Sequence, residues 1–125
     1  MKIFNNVKPG DKVFFVRNYD TLDIKPEEYI VDSVTMDDDI VTTKCRGEYG
    51  VGITLNVESF CSAIKTSEGV YFLDEVMAYD KIAKRKKRKI EELKNELKLR
   101  QKSYDKDLEK IVELSLPNGK DLVHG

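Results

Sequence analysis

Apolar and polar positions alternate in short runs over the first two-thirds of the chain, and turn residues interrupt them every eight to twelve positions. That spacing predicts a small all-β unit. Lys8-Pro9-Gly10-Asp11 reads as a tight turn, with proline presetting one φ and glycine free to take φ > 0. It feeds Lys12–Tyr19 (KVFFVRNY), a run of strong β-formers. A loop through Thr21–Pro26 precedes Tyr29–Met36 (YIVDSVTM), a turn at Asp37-Asp38-Asp39 and Ile40–Cys45 (IVTTKC), with another turn at Arg46–Gly50. Val51, Ile53, Leu55 and Val57 alternate with Gly52, Thr54 and Asn56, the clearest period of two in the chain. Phe60–Lys65 and Val70–Leu73 predict a final hairpin around Ser67-Glu68-Gly69. Five or six short strands so spaced predict a small antiparallel barrel or roll, which also limits exposed strand edges.

After Leu73 the period changes. Asp74 is a candidate N-cap, and Glu75 places a negative charge in the first helical turn, where the backbone dipole favours it. Neither Gly nor Pro recurs until Pro117-Asn118-Gly119. The spacing therefore predicts a barrel domain over 1–74, a long charged helix over 75–114 and a loose tail over 115–125. Forty helical residues span about 60 Å, more than so small a barrel can cover. Val76, Tyr79, Ile82 and Ala83 are expected to dock on the barrel. Ile90, Leu93, Leu97, Tyr104, Ile111 and Leu114 follow alternating steps of three and four, with Arg100 and Asp107 at the two remaining seam positions. This is a coiled-coil pattern, expected to pair with a second copy or a partner, or to fold back after Lys102-Ser103.

Composition sharpens the picture. With 40% hydrophobic and 36% charged residues in 125, one modest core fits beneath a very polar surface. The near balance of 22 basic and 23 acidic residues hides a segregation. Residues 1–78 carry 8 basic and 14 acidic side chains, residues 79–125 carry 14 and 9. No apolar run approaches the ~20 residues of a membrane span. Met1–Asn6 has a charge with no apolar stretch behind it, so a secretory signal is not expected, and a cytoplasmic location is. Cys45 and Cys61 are accordingly expected as reduced, partly buried thiols.

Lys84-Arg85-Lys86-Lys87-Arg88-Lys89 is the most unusual feature. Six consecutive helical residues surround the helix instead of forming a stripe, so packing this stretch on the barrel would bury unpaired charge. The helix is therefore expected to leave the barrel near Ala83. The run reads either as a solvated neck, partly neutralised by Glu91 and Glu92, or as a phosphate-contacting stem with salt-sensitive affinity. No aromatics suited to base stacking interleave with it, which argues against sequence-specific single-strand reading.

Gly10-Asp11-Lys12-Val13-Phe14 and Val70-Tyr71-Phe72-Leu73-Asp74-Glu75 together resemble the opening "GDxV" strand and closing strand-to-helix junction of certain small uncharacterised proteins. Those belong to bacteriophages and mobile elements of gut bacteria. The resemblance covers about residues 1–90, with a gap between Asp20 and Glu28, and departs at Asp74, Val76 and Met77. It implies an SH3-like barrel with a C-terminal helix and a life in the host cytoplasm. It carries over no functional residues.

Catalytic chemistry is sparse in the sequence. His124 is the single histidine and lies one residue from the end, so it reads as a bystander. Three consecutive carboxylates at Asp37–Asp39 diverge in a turn and lack the alternating ligands of a calcium loop. Gly47, Gly50 and Gly52 match neither a phosphate loop nor a dinucleotide fingerprint and read as a turn and a bulge. Neither cofactor nor metal is expected, and the chain reads as a non-enzyme. The leading expectation is an accessory protein that binds a host protein, acting on a defence or regulatory factor. The alternatives are non-specific nucleic-acid binding through 84–89, as a dimer, or a structural or virion component assembled through the helix. A small molecule held at the barrel mouth or between subunits stays open.

Overall fold

Val13, Phe14, Phe15 and Val16 are four consecutive buried apolar residues, a pattern a strand shows only when both of its faces are covered. The computed structural model describes residues 2–19 and 21–116 and shows how both faces are covered. A 3-10 turn at Phe4–Asn6 is followed by β1 (Lys12–Arg17), β2 (Glu27–Asp37), β3 (Ile40–Gly47), β4 (Gly52–Glu58), β5 (Ala63–Lys65), β6 (Gly69–Phe72) and α1 (Glu75–Ser115). The strands form one antiparallel sheet in the order β4-β3-β2-β1-β6-β5, curled into a nearly closed barrel. The mixed β-plus-α class and the small barrel followed by one long helix are as the sequence predicts. The chain divides into two compact units, Met1–Lys86 and Lys87–Gly125, with the division inside α1.

The barrel interior is lined by Val13 and Phe15 of β1, Val31, Val41, Cys45, Leu55, Val57 and Tyr71, with Phe4 and Leu73 at their side. Phe4 is wholly buried because its 3-10 turn is tied to the β4–β5 connection, Phe4 N–H donating to Cys61 O (2.8 Å) and Asn5 N–H to Ser59 O (2.8 Å). On the outer face of β1 and β6, Phe14, Val16, Val70 and Phe72 pack under Ala78 and Ile82 of α1. Local turns match their residues. Gly10 takes φ +95° in the Lys8–Asp11 turn, closed by Asp11 N–H on Lys8 O (3.0 Å). Asp38 takes φ 55° in the two-residue connection of β2 to β3, where a short polar side chain tolerates the left-handed region.

Three expectations need correction. Of the four docking residues, only Ile82 is buried; Val76 and Tyr79 are 76% and 52% exposed, and Ala83 is exposed too. Ala78 takes their place, because a methyl side chain lets the helix backbone come close to the phenylalanines beneath. The bulge lies in β2, between Val31 and Ser33, while Gly52 is a regular member of β4 opposite Arg46. Contact with the barrel also outlasts Ala83, as described below.

Among the described residues Thr43 is the single polar side chain buried in the core, and its hydroxyl has no partner there. A desolvated, unpaired hydroxyl is costly, whereas its removal is not. Thr43→Val is expected to stabilise the barrel by about 1 kcal/mol, read as a higher urea midpoint at unchanged slope. A lower midpoint would show that the hydroxyl is satisfied.

Candidate functional site

Asp74 starts α1 as the sequence predicts: its Oδ1 accepts from Val76 N–H at 2.8 Å, and its carbonyl from Ala78 N–H at 3.2 Å. Such a cap contributes about 1 kcal/mol. With the start fixed, the helical period decides where every later side chain points.

The six residues of the basic run do not share one fate. Lys84 pairs with Asp80 one turn back (2.9 Å). Arg85 is half-buried, and its Nη1 donates to the backbone carbonyls of Arg17 (2.6 Å), the last residue of β1, and Tyr19 (3.2 Å), two residues on. This charge therefore packs on the barrel because two carbonyls solvate it, which the argument from unpaired charge does not allow for. The helix thus meets the barrel about half a turn past Ala83. Lys86, Lys87, Arg88 and Lys89 have no ion-pair partner among the described residues, and the last three are exposed. The cations open to a polyanion are thus four of the six.

Ile90, Leu93, Leu97, Tyr104, Ile111 and Leu114 are all exposed, between 51% and 72%. Leu108, which strict heptads pass over, belongs with them and is 41% exposed. Counting 100° per residue, Ile90, Leu93, Leu97, Gln101, Tyr104, Leu108 and Ile111 fall within a stripe about 80° wide. Arg100 and Asp107 fall about 20° and 40° beyond its edge, and Leu114 about 100° from its centre. The steps along the stripe are three, four, four, three, four and three. Six steps over 21 residues keep the mean at 3.5, the coiled-coil period, with one four-residue step displaced from its place in the strict heptad. The signal was present in the sequence as the spacing of Leu97, Tyr104 and Leu108. Within the second unit, polar pairs hold the centre of the stripe: Arg100 donates to Glu96 (2.9 and 3.1 Å) and Gln101 to Asp105 (3.0 Å).

Two clefts open among the described residues of the first unit. One of about 460 Å³ is lined by Arg17, Tyr19, Thr21, Asp23, Ile24, Lys25 and Glu27. Inside it Arg17 holds Glu27 in a two-point ion pair, with Nη2 to Oε1 at 2.9 Å, and that hydrogen bond raises the guanidinium pKa further. The other, about 590 Å³, opens beside the N-terminal segment between Phe14, Leu73 and Glu75. Cys45 and Cys61 are free, and burial, helped by Asp32, pushes the Cys45 thiol up to about 11, so it stays protonated at neutral pH. Burial likewise raises the hydroxyls of Tyr29 and Tyr71. Among the described residues no three or more His, Cys, Asp or Glu are grouped to hold a metal ion. His124 lies outside those residues, as does most of the expected tail. No described helix is long and apolar enough to cross a membrane. No family model, curated protein or solved structure matches this chain.

Proposed function

We propose that this chain is a non-enzymatic, cytoplasmic binding protein that engages another protein through the apolar stripe of its second unit. The accessory, phage-type setting follows from the resemblance in the first and last strands of the barrel. The observation that carries the reading is the exposure of six large apolar side chains, 41–66% each, in one stripe from Ile90 to Ile111. Isolated apolar residues on a surface need no explanation, but a contiguous row does. Completing the burial of a half-exposed Leu, Ile or Tyr gains roughly 1 kcal/mol, so the row offers roughly 6 kcal/mol. Association itself costs about 4–15 kcal/mol. A stable complex therefore needs a partner that brings a comparable apolar row of its own, as another amphipathic helix does.

Nucleic-acid binding is the second reading, favoured by the unpaired cations at 86–89. A capture experiment separates the two. The native chain, Leu93→Glu/Leu108→Glu and Lys86–Lys89→Gln are immobilised in turn and challenged with cell lysate in low and in 0.5 M salt. Both glutamates are exposed and suit a helix, so the circular dichroism should not change. The expected result is protein retention, a second copy included, by the native chain and the glutamine variant in both salts, and none by the seam variant. Retention that survives in the seam variant would overturn the reading. Retention of nucleic acid alone, lost in high salt and in the glutamine variant, would establish the second one.

A further inference from the structure

The apolar stripe has an internal mirror. Ile90 and Ile111, Leu93 and Leu108, and Leu97 and Tyr104 are each equidistant from a point between Arg100 and Gln101. Resting on the reading of this stripe as the binding surface, we infer that its partner is a second copy of the same segment, running antiparallel, with the two-fold axis level with Arg100 and Gln101.

Any helix matches itself in parallel; antiparallel matching requires a symmetric sequence. Here the six apolar members are symmetric. Turned end for end, Ile90 meets Ile111, Leu93 meets Leu108 and Leu97 meets Tyr104, and no apolar member of the stripe is left opposite a charge. Charge then chooses between the two directions. Residues 87–100 carry six basic and three acidic side chains, a net +3. Residues 101–114 carry three and four, a net −1. A parallel pair in register would set each charge beside its own copy and bring Lys87-Arg88-Lys89 against the same three cations. The antiparallel pair places the two basic ends at opposite extremes, each beside the acidic half of its partner. Like charges across a helical interface disfavour pairing, and opposite charges select orientation.

The centre fixes the register. Arg100 and Gln101 interrupt the apolar row at its midpoint, already tethered to Glu96 and Asp105 on their own helix. In the inferred pair Arg100 faces Gln101 of the second copy, and Gln101 faces Arg100, polar against polar. A slide by one turn would push them against Leu97 or Tyr104 and leave an isoleucine uncovered at each end. A single polar layer in an apolar seam acts in this way on register and direction. The mean step of 3.5 residues lets the two copies stay in contact along the stripe by winding about each other with the left hand of a heptad pair.

Thiol cross-linking tests direction and register together in the full-length chain. Cys45 is buried with a protonated thiol and Cys61 is partly covered, so the native protein under mild oxidation is the control and is expected to remain uncross-linked. Gln101→Cys lies at the axis and is expected to cross-link to itself in most molecules. In the antiparallel pair two copies of residue 90 lie about 31 Å apart. Ile90→Cys alone is therefore expected not to cross-link, and to do so once mixed with Ile111→Cys. Light scattering on the native chain is expected to give twice 14.4 kDa at tens of micromolar. Cross-linking of Ile90→Cys with itself would overturn the direction. A monomeric mass with no cross-linking would overturn the second copy as partner. In that case, loss of capture by the seam variant would still support the stripe as a binding surface for a different protein.

Discussion

Gly69→Ala is expected to cost the barrel at least about 4 kcal/mol, enough to leave much of the chain unfolded at room temperature. Gly69 opens β6 and lies opposite Arg17 of β1. A Cβ built there would sit 2.2 Å from the backbone oxygen of Val16, 2.8 Å from Cε1 of Phe15 and 3.0 Å from Cα of Arg17. Two of these three neighbours are backbone atoms of a strand buried on both faces, so neither can swing aside. Only withdrawal of β6 from β1 relieves the clash, and that breaks the ladder running from Arg17↔Gly69 to Phe14↔Phe72. Each such hydrogen bond contributes about 1 kcal/mol, and overpacking adds about 1–3 kcal/mol. The turn before β6 cannot yield instead, because Thr66 N–H donates to Gly69 O at 2.7 Å and Asn18 N–H to Glu68 O at 2.9 Å. Gly10→Ala is the informative contrast: its φ of +95° strains an alanine, yet nothing lies within 4 Å. It should cost about 1–2 kcal/mol. Urea titration followed by circular dichroism measures both; equal midpoints for the two variants would show that the close approach at Gly69 is not rigid.

Much of the barrel could be read from the chain because its turns carry their own chemistry. Pro9-Gly10 and the aspartates before Ile40 mark reversals whatever surrounds them, and Leu55 and Val57 point inward as their alternation predicts. Phe4 could not be placed, since one aromatic residue outside any periodic run gives no sign of its destination. The helix posed a different difficulty. Its first three turns carry two apolar stripes, Val76-Tyr79-Ala83 and Ala78-Ile82, and a 3.6-residue period cannot say which one meets the sheet. The stripe of Ala78 and Ile82 is the one that packs on Phe14, Val16, Val70 and Phe72, a property of the pair of surfaces and not of either sequence. Arg85 is hidden in the sequence for a related reason: carbonyls free to accept a guanidinium at the end of β1 are invisible until β1 and α1 are placed together. Leu108 was legible all along, provided that the heptad was allowed to slip by one four-residue step.

The packing of β1 on two sides leads to a second large effect. Phe15→Ala is expected to destabilise the barrel by about 3–5 kcal/mol and lower its melting temperature by more than about 10 °C. Phe15 is 1% exposed and stands at the centre of an aromatic group, stacked on Tyr71 (centroids 4.3 Å apart) and edge-on to Tyr29 (6.5 Å). Tyr29 and Tyr71 meet each other as well, at 6.0 Å. Removing the shared ring takes away contacts with both tyrosines, each worth about 0.5–1.5 kcal/mol beyond its buried area. It also leaves a cavity walled by strands that cannot collapse inward, because the other face of β1 is held by Phe14 and Val16 under α1. The tyrosine near-ultraviolet signal should weaken in the variant even below its melting point, as the two rings lose a fixed partner. Phe15→Leu keeps most of the volume and should fall well short of this loss. The second unit offers the internal contrast: Leu97 is 66% exposed, so Leu97→Ala should leave the melting temperature of the barrel where it is and alter only association. A melting temperature unmoved by Phe15→Ala would mean that the aromatic group is not what holds the barrel interior together.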